Sequence, residues 1–296
     1  MKLKMPILLD TDIGNDIDDA VALAYLLRQP RCELAGVTCV TGDVGQRCAL
    51  TDAVCRAAGR TDIPIHAGAR DVLLHGPGQP TVPQYEVLRS RPHRADWPAG
   101  TAVEFLRRTI RERPGEITLL TIGPLTNIAL LGAIDPEVLV LLKEMVAMAG
   151  VFYPHECDSE WNCRVDPVAT AMVLKTTARL KVPVRLIGLD VTMKCRLGPD
   201  EVKRRFTPSP LDFVLELASV WFRGAREMTF HDPLAAAVVF EPDLCGYESG
   251  LVTGDPGPGA AEGRTPFTAG PGTHTVAKTV DPEGFFKEYF SVFGVQ

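Results

Sequence analysis

Up to Gly188, short apolar runs alternate with longer stretches of helical spacing, and that order leaves few folds open. Ile7-Leu8-Leu9 reads as a strand and Asp19 to Arg28 as the helix after it. Leu34 to Val40, Ile63 to His66, Ile117 to Ile122, Met145 to Met148 and Val182 to Gly188 read as further strands. Between them lie helical patterns at Gly45 to Ala58, Ala102 to Arg111, from Thr126, and from Asp166-Pro167, where proline suits a first helical turn. Nearly continuous, β-branched strands in this order predict an α/β fold with a mostly parallel central sheet and helices on both faces, an open Rossmann-like sheet. In such sheets the ligand crevice lies beyond the carboxyl ends of the strands, and the densest polar clusters here follow the apolar runs. Gly68 to Gly100 and Gly254 to Gly272 are Pro- or Gly-rich loops, either lids or plain surface connections.

At 296 residues and 46% hydrophobic content, the chain can bury a large core without disulfides, and one domain over 1–296 is expected. The net charge of −6, without a Lys/Arg block, argues against nucleic acid as a partner. The eight scattered cysteines form no CxxC pair and read as buried thiols in a reducing cytosol. MKLKMPILLD is too short an apolar run for a signal peptide, and no run is long enough to span a membrane. A soluble cytoplasmic protein is expected.

Asp10-Thr11-Asp12-Ile13-Gly14-Asn15-Asp16-Ile17-Asp18-Asp19 places five carboxylates in ten residues directly after a strand. Unpaired charges there would repel one another and lose solvation, and a divalent cation removes both penalties. Oxygen donors without sulfur or histidine suit calcium or magnesium. A solvated acidic turn with N-capping aspartates is the alternative. An EF-hand loop starting at Asp10 would need Glu where Val21 stands, and an aspartate-nucleophile phosphatase would need Thr or Val where Gly14 stands.

The cluster resembles the N-terminal signature of the inosine-uridine-preferring nucleoside hydrolase family, with Ile13 where proline is common and Asp16-Ile17 as an insertion. Further pieces resemble that family in the same order: Val37 to Asp43, Gly123-Pro124-Leu125-Thr126-Asn127, Met148-Ala149-Gly150, Glu160-Trp161-Asn162, Asp166-Pro167, Gly188 to Thr192, and His231-Asp232-Pro233. A weaker echo follows at His274 to Lys278.

The resemblance implies calcium-dependent hydrolysis of the N-glycosidic bond of a ribonucleoside, giving ribose and free base. It implies a calcium ion (Ca2+) that holds the attacking water and the ribose hydroxyls, with Asp12, Asp19, the Ile122 carbonyl and Asp232 as ligands. Asp12 would be the general base, and His231 would help protonate the leaving base, a task suited to a side chain that titrates near neutrality. Asp18 and Asn162 would bind the ribose hydroxyls, with Asp43, Met148, Glu160 and Trp161 also facing the substrate. The small-molecule partner would be a nucleoside, and the assembly a homo-oligomer, dimer or tetramer.

Four departures fall on the base side. Asp43 replaces Asn, Trp161 replaces Phe, the 150–160 stretch is short, and Trp221-Phe222 stands where a tyrosine pair is absent. A modified or non-standard N-riboside, and a non-catalytic calcium- and ribose-binding relative, are the competing readings. His75 aligns poorly with the family's loop histidine, and the role of Asp16 is open. His66, His93, His155 and His274 read as ordinary surface or loop residues.

Overall fold

The computed structural model describes residues 4–91, 93–154, 156–259 and 261–295, so His155 lies outside the described residues. Strand β1 (Met5–Thr11) leads through α1 (Asp18–Arg28) to β2 (Cys32–Cys39), then through α2 (Val44–Ala57) to β3 (Ile65–Ala67). The chain returns by α3 (Ala102–Glu112) to β4 (Thr118–Thr121), then α4 (Thr126–Ile134) and β5 (Glu144–Met148). Next come α5 (Trp161–Val165), α6 (Pro167–Leu180) and β6 (Val184–Ile187). After β6 follow α7 (Leu189–Thr192), β7 (Arg196–Leu197), α8 (Pro199–Arg205), α9 (Leu211–Trp221), β8 (Met228–Thr229) and α10 (His231–Phe240). Last are β9 (Cys245–Val252), β10 (Phe267–Ala269), β11 (His274–Val280) and α11 (Pro282–Ser291).

Nine strands form one sheet in the order β10-β9-β11-β6-β5-β4-β1-β2-β3. It is parallel from β3 to β11, and β9 pairs antiparallel with both β11 and β10. The expected α/β fold with a mostly parallel sheet is therefore present, and the antiparallel edge is an addition to it.

Alternation along β1 shows why the strand is apolar on both sides. Ile7 and Leu9 pack in one core with residues of α1, α9, α10 and α11, while Leu8 packs in the other with α3, α4 and α6. The chain runs from β1 outward to β2 and β3, then crosses to β4 on the other side of β1. This reversal opens a crevice at the carboxyl ends of β1 and β4, the place where open α/β sheets bind ligands.

Seven cysteines are buried, Cys157 is exposed, and none of the eight forms a disulfide. Among the described residues, no helix is long and apolar enough to cross a membrane. Two histidines depart from the expected surface positions. His274 is fully buried in β11, where Nδ1 accepts from the Val252 N–H (3.1 Å) and the other ring nitrogen meets Thr177 Oγ1 (3.0 Å). His66 stacks on Phe105, with ring centroids 4.1 Å apart.

Candidate active site

The acidic segment is shaped by its apolar residues as much as by its charges. Ile13 and Ile17 are fully buried, and between them Gly14 takes a φ of 124°, a conformation open to glycine. A Cβ there would also press to within 2.4 Å of Val82. The two isoleucines pin a turn whose polar residues are left at the crevice. Asp16 lines it, while Ile17 supplies the second anchor. Asp18 and Asp19 then open α1, where the helix dipole favours negative charge.

The crevice is a cleft of about 470 Å³. It is lined by the carboxylates of Asp12, Asp16, Asp18, Asp19, Glu160 and Asp232, and by Met148, Trp161, Leu189, Met193, Trp221 and His231 among others. Carboxylate oxygens of Asp18, Asp19 and Asp232 lie within 4.8 Å of one another. Opposed oxygens on one calcium ion stand about 4.6–5.2 Å apart, so the span suits a single cation. Asp19 Oδ1 accepts from Thr11 Oγ1 at 2.5 Å, and Asp18 Oδ2 from the Asp232 N–H at 3.1 Å. Burial raises all three carboxyls well above their usual range, and charges of neighbouring aspartates raise them further. A hard, all-oxygen donor set that is buried and self-repelling fits a divalent cation.

Asp12 lies beside this trio. Burial pushes it up to about 6, against the opposing charge of Arg47. Gly123, just past β4, makes room for it, since a Cβ there would meet Asp12 Oδ1 at 2.8 Å. The Ile122 carbonyl accepts from Asn162 Nδ2 at 3.0 Å, and its second lone pair is left for a ligand.

Most of the expected residues converge. Asp12, Asp18, Asp19, Ile122, Met148, Glu160, Trp161, Asn162, His231 and Asp232 all line the cleft. Glu160 is committed to backbone, because its carboxylate caps α5 by accepting from the N–H groups of Asn162 (2.7 Å) and Cys163 (3.0 Å). Asp43 does not line the cleft, contrary to expectation. Its carboxylate instead caps α2, accepting from the Gln46 N–H at 3.0 Å. His231 also departs from the near-neutral titration expected of it, since burial and the charge of Arg196 push it down to about 4. Its Nδ1 meets Thr192 Oγ1 at 2.7 Å.

Other motif residues turn out to be ties beneath the cleft. Asn127 donates to Asp10 Oδ1 (2.7 Å) and accepts from the Ala69 N–H (2.9 Å), joining β1 to the long loop. Asp166 accepts from Thr126 Oγ1 (2.7 Å) and the Leu73 N–H (3.0 Å), securing the same loop. His75 bridges to Glu262 (3.1 Å), outside the cleft, and so links the two long loops.

Two cleft-side residues went unanticipated. Arg47 is fully buried and gathers the carbonyls of Thr41 (2.7 Å), Asp12, Ile13 (3.0 Å) and Gln79 (2.8 Å). Its signal was present, because the spacing from Arg47 to Leu50, Thr51 and Val54 sets it on the buried helix face. Gln79 donates through Nε2 to Asp12 Oδ2 at 2.8 Å and accepts from Trp161 Nε1. Nothing local marked it, because both partners are remote in sequence.

Residues 7–287 match the family model for inosine-uridine preferring nucleoside hydrolase. The chain belongs to that family. Among its nucleoside hydrolase relatives, pyrimidine-specific ribonucleoside hydrolase RihA of Citrobacter koseri is 30% identical, over 82% of this chain and 81% of its own. Uridine nucleosidase 1 of Arabidopsis thaliana is 29% identical, over 83% and 77%. A plant nucleoside hydrolase structure superposes with a TM-score of 0.85, covering 98% of both chains at 22% identity, which shows the shared fold.

Proposed function

We propose that this nucleoside hydrolase family enzyme cleaves the N-glycosidic bond of ribonucleosides in a calcium-dependent reaction, releasing ribose and free base. The observation that carries the reading is the convergence of Asp18, Asp19 and Asp232 on one point beside Asp12, in a cleft that is also lined by Met148, Leu189, Met193, Trp161 and Trp221. By the family resemblance Asp12, Asp19, Asp232 and the Ile122 carbonyl would hold the ion, and Asp18, the third carboxylate at that point, would face the ribose beside it. Calcium, when bound, supplies Lewis acidity toward the attacking water and an anchor for the ribose hydroxyls.

The side chains divide the remaining work. Asp12 takes the proton of the attacking water, its carboxylate standing in the cleft beside the point where the three other aspartates converge. Asp18 and Asn162 hydrogen-bond the ribose hydroxyls, and the Glu160 cap holds Asn162 in place. The negative wall stabilises positive charge as the sugar approaches an oxocarbenium ion. Trp161, Trp221, Leu189 and Met193 form a surface on which a base can stack. His231 is neutral in the free protein. Its Nδ1 meets the Thr192 hydroxyl, and the proton donor to the leaving base would be Nε2–H, in the tautomer whose Nδ1 accepts from Thr192.

The RihA and uridine nucleosidase relatives make pyrimidine ribonucleosides, uridine first, the substrates to try. The nucleoside is the small-molecule partner in this reading, and a dimer or tetramer the assembly implied by resemblance. The test is a panel of ribonucleosides with p-nitrophenyl riboside, assayed for reducing sugar with and without chelator. Chelator-sensitive ribose release is expected. Release unaffected by chelator would remove calcium from the reaction, and no release from any member would overturn the reading.

His231→Ala is expected to lower kcat for uridine or inosine by about 100-fold, in the usual range for a lost proton donor. Its effect on p-nitrophenyl riboside, whose leaving group needs no proton, should be much smaller, with calcium binding preserved. Equal losses on both substrates would exclude the leaving-group role.

A further inference from the structure

We propose that Gln79 is a positioning residue that orients Asp12 and is itself locked by Trp161, so that the aromatic wall and the general base form one mechanical unit. The inference rests on the function proposed above, in which Asp12 takes the proton of water.

A primary amide can turn over and exchange its donor and acceptor ends, but here one neighbour removes that freedom. The indole N–H of Trp161 can only donate, so it selects the Gln79 oxygen. The Gln79 NH2 group must then face Asp12 Oδ2, where it lies at 2.8 Å. Asp12 Oδ1, on the other side, lies against the space left by Gly123. The carboxylate is thus bounded on both oxygens.

The Gln79 backbone is held with equal care. Its N–H donates to Thr41 Oγ1 (3.2 Å), and its carbonyl accepts from Arg47 (2.8 Å). Gly42 admits the close approach, because a Cβ there would lie 2.2 Å from the Gln79 carbonyl oxygen. Thr41 sits at a φ of 62°, unusual for a β-branched residue, with its carbonyl also held by Arg47. One buried guanidinium therefore secures the backbone of both Asp12 and Gln79. Gln79 is 5% exposed, whereas Trp161 is 48% exposed at the cleft, so a ligand on the wall can touch the ring that locks the amide. Phenylalanine at 161 would offer a similar ring face but no N–H.

The test uses the calcium-loaded enzyme and its best nucleoside, with Gln79→Leu, Trp161→Phe and the double variant. Gln79→Leu should lower kcat roughly 10- to 100-fold, with KM changed by less than about threefold, because a charge-assisted bond is lost at the base. Trp161→Phe, at a half-exposed ring, should lower kcat by less, and the double variant should be no slower than Gln79→Leu alone. Multiplying losses, or a Gln79→Leu kcat within about twofold of wild type, would overturn the proposal.

A second readout needs no turnover. In a 15N correlation spectrum, the indole signal that disappears in Trp161→Phe should move upfield in Gln79→Leu, as its acceptor is lost. An unmoved signal overturns the bridge itself, even where the activity assay succeeds. Wild-type protein that releases no ribose, but whose indole signal moves, overturns the function reading and the role at the base while leaving the bridge in place.

Discussion

Asp12→Ala is expected to cut kcat/KM on the best nucleoside by roughly three orders of magnitude, the middle of the range for a lost general base. The loss comes from two sources: the proton acceptor for water disappears, and the cation loses one of its proposed ligands. Calcium affinity, followed by titration calorimetry, should fall with activity. Stability should move the other way. Without metal, Asp12 is a buried carboxyl raised to about 6, beside Asp19 and Asp232, which feel its charge as repulsion. A carboxyl whose folded pKa is raised destabilises the folded state once pH exceeds its unfolded value near 4. Removing it should therefore leave the metal-free melting temperature at neutral pH unchanged or higher, and abolish much of the rise that calcium produces. Wild-type rates in this variant would refute the site assignment. A large drop in metal-free stability would show that Asp12 is a structural ion pair with Arg47.

The second large effect is on stability. Arg47→Met should destabilise the protein by about 3–5 kcal/mol, the scale for breaking a buried charged network. That corresponds to roughly 10 °C in melting temperature for a chain of this size. The side chain is fully buried and supplies hydrogen bonds to four carbonyls from three segments, around 12–13, 41 and 79. Methionine fills comparable space but leaves those acceptors dry and the left-handed Thr41 turn without its tie. Lysine should rescue little, because an ammonium cannot reproduce the flat fork of guanidinium donors. Thermal unfolding of the metal-free protein measures this without reference to activity. A change below about 1 kcal/mol would mean that water or backbone movement replaces the guanidinium.

Both predictions turn on the end of β1, where local pattern and long-range packing meet. The apolar runs announced β1, β2, β4, β5 and β6 because strands covered on both faces need apolar residues at every position. β9, β10 and β11 were missed, since they mix exposed and buried residues and are separated by a Gly/Pro-rich loop. The carboxylates at 12, 18 and 19 were legible because five acids after an apolar strand have few physical explanations. Asp43 misled because an aspartate before a helix serves equally well as a cap, and the helix claimed it. Likewise His231 is ordinary in sequence, and only its burial and Arg196 set how it titrates.

The sequence by itself determined the parallel α/β sheet, the acidic turn at the end of its first strand, and the family, since each rests on local pattern or on motifs in order. Only the tertiary structure decided which carboxylates meet, that Asp232 joins Asp18 and Asp19 from 213 residues further along the chain than Asp19, and that Arg47, Gln79 and Trp161 lock the base. The reason is that burial and hydrogen-bond partners are properties of the closed chain: a charge is costly or stabilising according to what packs around it, and at this cleft those neighbours come from segments remote in sequence.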